Sequence, residues 1–332
     1  MKNIRLNEKA WELAENMLEK AQELKMEVKR INNATVIDAG IKVKGSWELG
    51  RLVTLLCLGG IGKVDFPPKP DEMPGIGMIN VSLDEVPSIS TLGAQFAGWR
   101  ISRKYEGKTK TGEIKTKKYF AMASGPARAL SLEPKELYEK MEYSEQSQKA
   151  IILLETNKFP PESVLEYITR KCNVELDNLL VICAPTNCLV GSIQISGRVV
   201  ETAIHKITEV GLSPKKIVSG DGTAPIAPIV DDAGRAMGIT NDCILYGADV
   251  HLEVKDIKDP ELEEMVNNTP SSASKDYGSP FYEVFKNANF DFYEIDPHLF
   301  APAKIRVTNK DSGCTFEAGQ INIEVLKRAF SV

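Results

Sequence analysis

Arg198 and Glu201 stand three residues apart at the start of a helical pattern, so both side chains leave one helix face. Val200, Ala203, Ile204, Ile207 and Val210 carry that pattern to Gly211, a residue suited to a helix stop. A carboxylate in a first helical turn lies at the positive end of the backbone dipole, which favours its ionised form. The neighbouring guanidinium acts in the same direction. Such a pair holds an anion ready for a cationic substrate. The same spacing also occurs in solvated ion pairs that stabilise a helix only slightly. Upstream, the apolar run 179–183 reads as a buried strand. Residues 184–197 then read as a loop of small and hydroxyl-bearing residues joining that strand to the helix.

A second candidate follows the strand-like residues 119–122. Ser124-Gly-Pro-Ala-Arg128 offers a hydroxyl, free backbone amides and a guanidinium, the parts of an oxyanion or phosphate cradle. A tight strand-to-helix turn capped by Ser124 accounts equally well for the same residues. Asp231 and Asp232 read as turn residues before Gly234, because no second acidic or histidine cluster completes an oxygen shell for a metal. The six cysteines contain no Cys-x-x-Cys pair, and the three histidines, 205, 251 and 298, lie far apart. Neither a zinc site nor a disulfide framework is expected, which places the chain in a reducing compartment, the cytoplasm. Gly62-Lys63 precedes Val64 rather than Ser or Thr, so the glycine cluster at 59–62 is a helix stop and not a phosphate loop.

The elements that must position these groups alternate between strand and helix. Residues 7–28 form the clearest amphipathic helix, with Asn7 as its cap. Strands are expected over 35–39, 151–154, 216–219 and 244–254, helices over 89–98, 134–141 and 161–171, and a loop followed by a second helix over 45–57. Residues 221–232 are extended, and 255–276 form a surface loop with a short helix. Segments 281–285, 300–307 and 321–330 close the chain. Residues 100–118 carry a local excess of six positive charges and read as an exposed hairpin turning near Gly112. A basic insertion of this kind is expected to be solvated, with attraction of an anionic substrate tail as its functional alternative. A short echo links Gly45-Ser46 and Gly50-Arg-Leu-Val53 with Gly191-Ser192 and Gly197-Arg-Val-Val200, which raises an internal duplication as a hypothesis.

At 332 residues and 42% apolar content, the chain has room for a large core and two domains. Its net charge of −5 argues against general affinity for nucleic acid. The chain opens directly on a helix pattern, so no signal peptide is expected, and the run 52–61 is too short to span a bilayer.

The sequence resembles the methenyl-tetrahydromethanopterin cyclohydrolases, a one-carbon enzyme family, over nearly its full length. The resemblance is carried by Thr35-Val-Ile-Asp-Ala-Gly40, Tyr119-Phe-Ala-Met-Ala-Ser-Gly-Pro-Ala-Arg-Ala-Leu130 and Ala184-Pro-Thr186. It continues through Val190-Gly-Ser-Ile-Gln194, Arg198-Val-Val-Glu-Thr202 and Gly222-Thr-Ala-Pro-Ile-Ala-Pro228. Thr240-Asn-Asp242, Ile244-Leu-Tyr-Gly247, Asp276-Tyr-Gly278, Ile295-Asp-Pro297 and Phe300-Ala-Pro-Ala303 complete it.

The resemblance implies an α/β fold of mixed sheets with flanking helices, two domains around a deep cleft, assembled as a homotrimer. The boundary between domains is not readable, and more than one crossing of the chain stays open. It implies hydrolysis of the methenyl bridge of a tetrahydromethanopterin derivative, with no organic cofactor and no metal. Glu201 is then the general base and proton carrier, and Arg198 orients it and keeps it ionised. Ser124, Gly125 and Arg128 are candidates for holding an oxyanion. Gln194 offers the paired donor and acceptor that a pterin edge needs, with Thr223 and Asp242 as neighbours. His205 lies on the Glu201 face and is expected to be structural. The competing readings are another cofactor-free hydrolase or lyase using the Arg–Glu pair, and a scaffold that binds a polyanion through the 100–118 hairpin. Neither a nucleic acid nor a membrane is an expected partner.

Overall fold

The computed structural model describes residues 4–108, 112–291 and 294–331. Twelve strands form two six-stranded mixed sheets. The first has the order β1 (Glu27–Ile31), β2 (Ala34–Asp38), β8 (Leu179–Ala184), β7 (Ala150–Glu155), β6 (Ile114–Ser124), β5 (Trp99–Lys108). Its centre, β2–β8–β7, is parallel, and almost every residue in it is buried. Such strands read as unbroken apolar runs because helices cover both faces. Here α1 (Leu6–Glu19) and α2 (Trp47–Cys57) cover one face, and α6 (Glu162–Cys172) covers the other.

The second sheet has the order β12 (Thr315–Gly319), β11 (Lys304–Asn309), β10 (Asp249–Val254), β9 (Ile217–Ile226), β4 (Gly77–Leu83), β3 (Lys63–Asp65). All of its pairs are antiparallel except β10–β11. Its strands alternate. Ile79, Val81, Leu83, Val250 and Leu252 face α8 (Val199–Glu209) and α10 (Asp259–Asn267), while Asn80, Ser82, Asp221 and Thr223 share the opposite, polar face. The chain passes between the two sheets three times: β1–β2, then β3–β4, then β5–β8, then β9–β12.

The echoing stretches both belong to the first sheet. They follow the neighbouring parallel strands β2 and β8 and lead into α2 and α7 (Leu189–Ser196), so the echo does not relate one sheet to the other. The two helices pack closely. A Cβ on Gly50 would stand 2.6 Å from Ile193, and one on Gly197 would stand 2.5 Å from Thr54.

Several local expectations are corrected. Residues 189–196 are helical rather than a loop, so the strand leads to Glu201 through two consecutive helices joined at Gly197 and Arg198. Asn7 does not cap α1. It is fully buried, donating to the Pro126 carbonyl and accepting from the Ile151 amide, which ties the helix to the sheet. The apolar residues 244–247 finish α9 (Ala233–Gly247), capped by Asp232, and only Asp249–Val254 form the strand. Residues 89–98 hold no regular helix. A short α3 (Pro87–Ser90) runs into a π turn, Thr91–Gln95, and is entered through Val86 at φ 43°. A left-handed β-branched residue is strained, and π turns gather at functional sites.

Strands β5 and β6 pair along their whole length, from Trp99↔Ala123 to Lys108↔Ile114, and β6 meets β7 only at residues 122–124. The remaining pairs form a projecting ribbon, whose tip at residues 109–111 lies outside the described residues. No helix among the described residues is long and apolar enough to cross a membrane.

Candidate functional site

Helix α8 is amphipathic in an unusual way, because both of its faces are occupied. Val199, Val200, Ala203, Ile204 and Ile207 pack against the second sheet. Gly220 and Gly222 on β9 allow this approach, since a Cβ on Gly220 would come within 2.7 Å of Val200. The opposite stripe, Arg198, Glu201, Thr202, His205, Lys206 and Glu209, lines a cavity of about 680 Å³. The far wall includes Glu155, the last residue of β7, and Thr186, just past β8. A ligand at the carboxyl ends of parallel strands is the general arrangement in α/β sheets. Phe96, Asn241 and the 297–300 segment complete the walls.

Arg198 is 8% exposed and fixed from three sides. Its Nη1 donates to the Gln95 carbonyl at 2.6 Å, and its Nη2 donates to Ser124 Oγ at 3.0 Å and Gln194 Oε1 at 3.2 Å. Gln95 also donates from Nε2 to the Gly197 carbonyl at 2.9 Å, so the π turn is bonded to the junction before α8. Glu201 Oε2 lies 3.7 Å from Arg198 Nη1.

Burial opposes the expected ionisation of Glu201. Burial pushes its carboxyl up to about 7, outweighing the opposing pull of Arg198 and Arg128. At 5% exposure, loss of hydration exceeds what one loosely placed guanidinium returns. A carboxyl poised near neutrality can both take and give a proton, which is the property a proton carrier needs.

Around this pair the walls are specific. Phe96 stacks on His205 with ring centroids 4.7 Å apart and planes 14° from parallel. Burial pushes the His205 imidazole below its ordinary value, which favours its neutral form. Thr186 Oγ1 donates a hydrogen bond to the Glu155 carboxylate. Lys206 Nζ lies 2.6 Å from His298 Nδ1. Among the described residues, no three His, Cys, Asp or Glu side chains gather in a way that could hold a metal ion.

Residues 5–330 match the sequence model of the family described as Cyclohydrolase (MCH). Proteins named methenyltetrahydromethanopterin cyclohydrolase align along the whole chain. The one from Methanocaldococcus jannaschii is 43% identical over 329 residues, covering 98% of both chains. Those from Methanococcoides burtonii and Methanocella arvoryzae are 41% and 44% identical, covering 99% and 98% of both chains. The chain belongs to this cyclohydrolase family.

In this family member the predicted site residues separate into two groups. Arg198 and Glu201 stand together in the cavity wall. Ser124 and Gln194 lie behind Arg198 as its acceptors, and the Nε2 of Gln194 is buried without a partner. Gly125 gives its amide to the Ala94 carbonyl at 2.8 Å, so that amide is not free for an oxyanion. Arg128, fully buried, donates to the carbonyls of Leu92, Ala94 and Glu133 and packs on Phe96 and Tyr138. It braces the π turn and adds positive field at Glu201. Thr223 is on the polar face of β9, away from α8. Asp242 is fully buried on the far side of α9, accepting from the Phe281 amide at 2.8 Å. Thr240 and Asn241 line the cavity in its place.

Thr202, Lys206 and Glu209 were missed, although the sequence carried their signal. They continue the i, i+3, i+4 stripe from Arg198 on the face opposite the apolar one.

Proposed function

We propose that this cyclohydrolase acts on methenyl-tetrahydromethanopterin, adding water to the methenyl bridge to give formyl-tetrahydromethanopterin, reversibly, as a one-carbon step of methanogenesis. The names of its full-length relatives support the reaction. The observation that supports its mechanism is the buried Glu201 carboxyl, pushed up to about 7, beside a rigidly held guanidinium in the cavity wall.

The substrate is an amidinium cation whose bridging carbon is already electrophilic. Glu201 as carboxylate complements that charge and accepts a proton as water oxygen bonds to the carbon. The carbon–nitrogen bond then breaks: the same proton passes from Glu201 to the departing ring nitrogen, and the hydroxyl proton on the bridging carbon is released to solvent as the formyl C=O forms, so the cation's charge leaves as one H+. The formyl group stays on the other nitrogen, and Glu201 returns to its starting state. Arg198 holds the carboxylate in place and keeps it ionised once the substrate is bound. The Phe96–His205 stack gives a flat wall for a ring system. The family resemblance further supports a homotrimer, which light scattering of the purified protein tests.

The experiment follows the absorbance of methenyl-tetrahydromethanopterin with the wild type and with Glu201→Gln. Rapid loss with the wild type and near-silence with a folded variant are expected. Equal rates would remove Glu201 from the chemistry, and silence in both would remove the reaction.

A further inference from the structure

The π turn ends on four carbonyls that no further helical turn can use, and each is taken by a buried donor. Leu92 and Ala94 accept from Arg128, and Ala94 also accepts from the Gly125 amide. Gly93 accepts from Tyr138 Oη at 2.8 Å, and Gln95 accepts from Arg198 Nη1 at 2.6 Å. Gln95 makes a second contact at the same place. Its Nε2 donates to the carbonyl of Gly197, the residue that closes α7 just before Arg198. The side chain is 1% exposed, and its Oε1 is buried without a hydrogen-bond partner. A buried orphan acceptor is costly, and a methionine would fill the same space without that cost. What the amide adds here is its donor.

Arg198 Nη1 carries two protons. One goes to the Gln95 carbonyl, while Glu201 Oε2 lies 3.7 Å from the same nitrogen. That is well beyond the roughly 2.7–2.9 Å of a closed charge-assisted bond. Ser124 and Gln194 hold Nη2, so the Gln95 carbonyl is what fixes the other arm of the fork. A closed ion pair would stabilise the Glu201 carboxylate and make it a weaker base. The open pair leaves it both charge compensation and proton affinity.

We infer that Gln95 is a positioning residue for the proton carrier: its tether to Gly197 sets the carbonyl that holds Arg198 Nη1 short of a closed ion pair with Glu201. This deepens the proposed function and rests on it for the effect on rate. The geometry stands on the two Gln95 hydrogen bonds. The other charged or titratable groups around Glu201 are Arg128 beside the π turn, Glu155 at the end of β7, His298 in the 297–300 segment, and His205, Lys206 and Glu209 on α8. They are present in the wild type and in every variant below, so they set the level of the titration and not a difference caused by Gln95.

Gln95→Met keeps the bulk and removes the tether. With Nη1 free to close from 3.7 Å to about 2.8 Å, the Glu201 titration moves towards acid by about one pH unit, and the kcat/KM limb moves with it. The weaker base lowers kcat about threefold to tenfold with KM little changed. In an Arg198→Met background Gln95→Met adds no shift, because its route to Glu201 is gone. Tyr138→Phe frees the Gly93 carbonyl of the same turn and gives a smaller acid shift, which keeps the inference testable should Gln95→Met not fold. Rates that fall equally in both backgrounds with an unmoved limb would overturn the inference in favour of a structural role. The second readout needs no turnover. It follows the carboxylic-acid infrared band of the substrate-free protein across pH 5–9, assigned by its loss in Glu201→Gln. A midpoint displaced to acid in the folded variants supports the inference, and an unmoved or alkaline midpoint overturns it. A displaced midpoint together with a fully active Glu201→Gln would remove Glu201 from the reaction and leave the positioning by Gln95 standing.

Discussion

Replacing Arg198 tests the electrostatic logic of the site most directly. In the free protein Glu201 is pushed up to about 7, with Arg198 as the largest opposing influence. At 3.7 Å and an effective dielectric near 20, the attraction is about 4 kcal/mol, equivalent to roughly three pH units. Water entering the vacated space restores part of that hydration. Arg198→Met is therefore expected to move the Glu201 titration upward by about one to three pH units. In the proposed mechanism the carboxylate is the active form for hydrolysis, so kcat/KM is expected to rise with pH through about 7 in the wild type and level off above it. In Arg198→Met the rise shifts towards alkaline pH, with a lower plateau. Arg198→Lys keeps the charge but not the three-sided geometry, so its limb stays near the wild-type position while its plateau falls. The profile of kcat reports the complex, where the bound cation favours the carboxylate, and its limb lies on the acid side of the kcat/KM limb. Initial rates across pH 5–9, with circular dichroism to confirm folding, provide the check. A limb that stays put in Arg198→Met would refute the coupling of these two side chains.

Further expectations follow from the same buried groups. Because the folded Glu201 carboxyl titrates above the unfolded value, its ionisation costs stability as pH rises from about 4.5 to about 7. Glu201→Gln should unfold later than the wild type at pH 7 by up to about 3 kcal/mol, and show little difference at pH 4, in urea titrations. Asp242 is pushed up to about 8 by burial, with one oxygen unpartnered, so Asp242→Asn should gain relative stability as pH rises from 4 to 8, read as the change in melting temperature. An identical pH dependence in the two proteins would show that Asp242 does not ionise on unfolding alone. Gly220→Val forces branched atoms against Val200, and should cost about 1–3 kcal/mol and lower kcat by displacing α8.

The layered α/β character was legible because β7 and β8 carry apolar runs of strand length, 150–154 and 179–184, separated by helical periods. The errors arose where local signals competed with tertiary ones. Residues 189–196 are so rich in small and hydroxyl residues that they resemble a loop, yet Gly191 and Ser192 are small because the helix packs tightly. A Cβ on Gly191 would meet the Pro185 carbonyl at 2.0 Å, and Ser192 donates to the Ala227 carbonyl. Asn7 had the composition of a cap, but its partners lie more than a hundred residues away, which no local pattern encodes. The run 244–254 is apolar across a boundary that only the Asp232 cap and the length of α9 define.

The site was legible as a pair and illegible as a cavity, for one physical reason. A 3.6-residue period shows which residues share a helix face, but not what that face meets. Arg198 and Glu201 could be placed side by side from spacing alone. Whether solvent or protein covers them was not contained in the spacing, and that decides the sign of the Glu201 shift. Exposed, the helix dipole and Arg198 would lower the carboxyl; enclosed by the π turn and the ends of β7 and β8, burial wins and raises it. The glycines at 220 and 222 hold the missing information, because they bring α8 so close to β9 that its apolar stripe is fully spent on the second sheet. The polar stripe must then face the first sheet. A carboxyl enclosed there is costly by itself and well matched beside a cation, so under the proposed mechanism the same enclosure that raises the Glu201 carboxyl would favour a positively charged substrate.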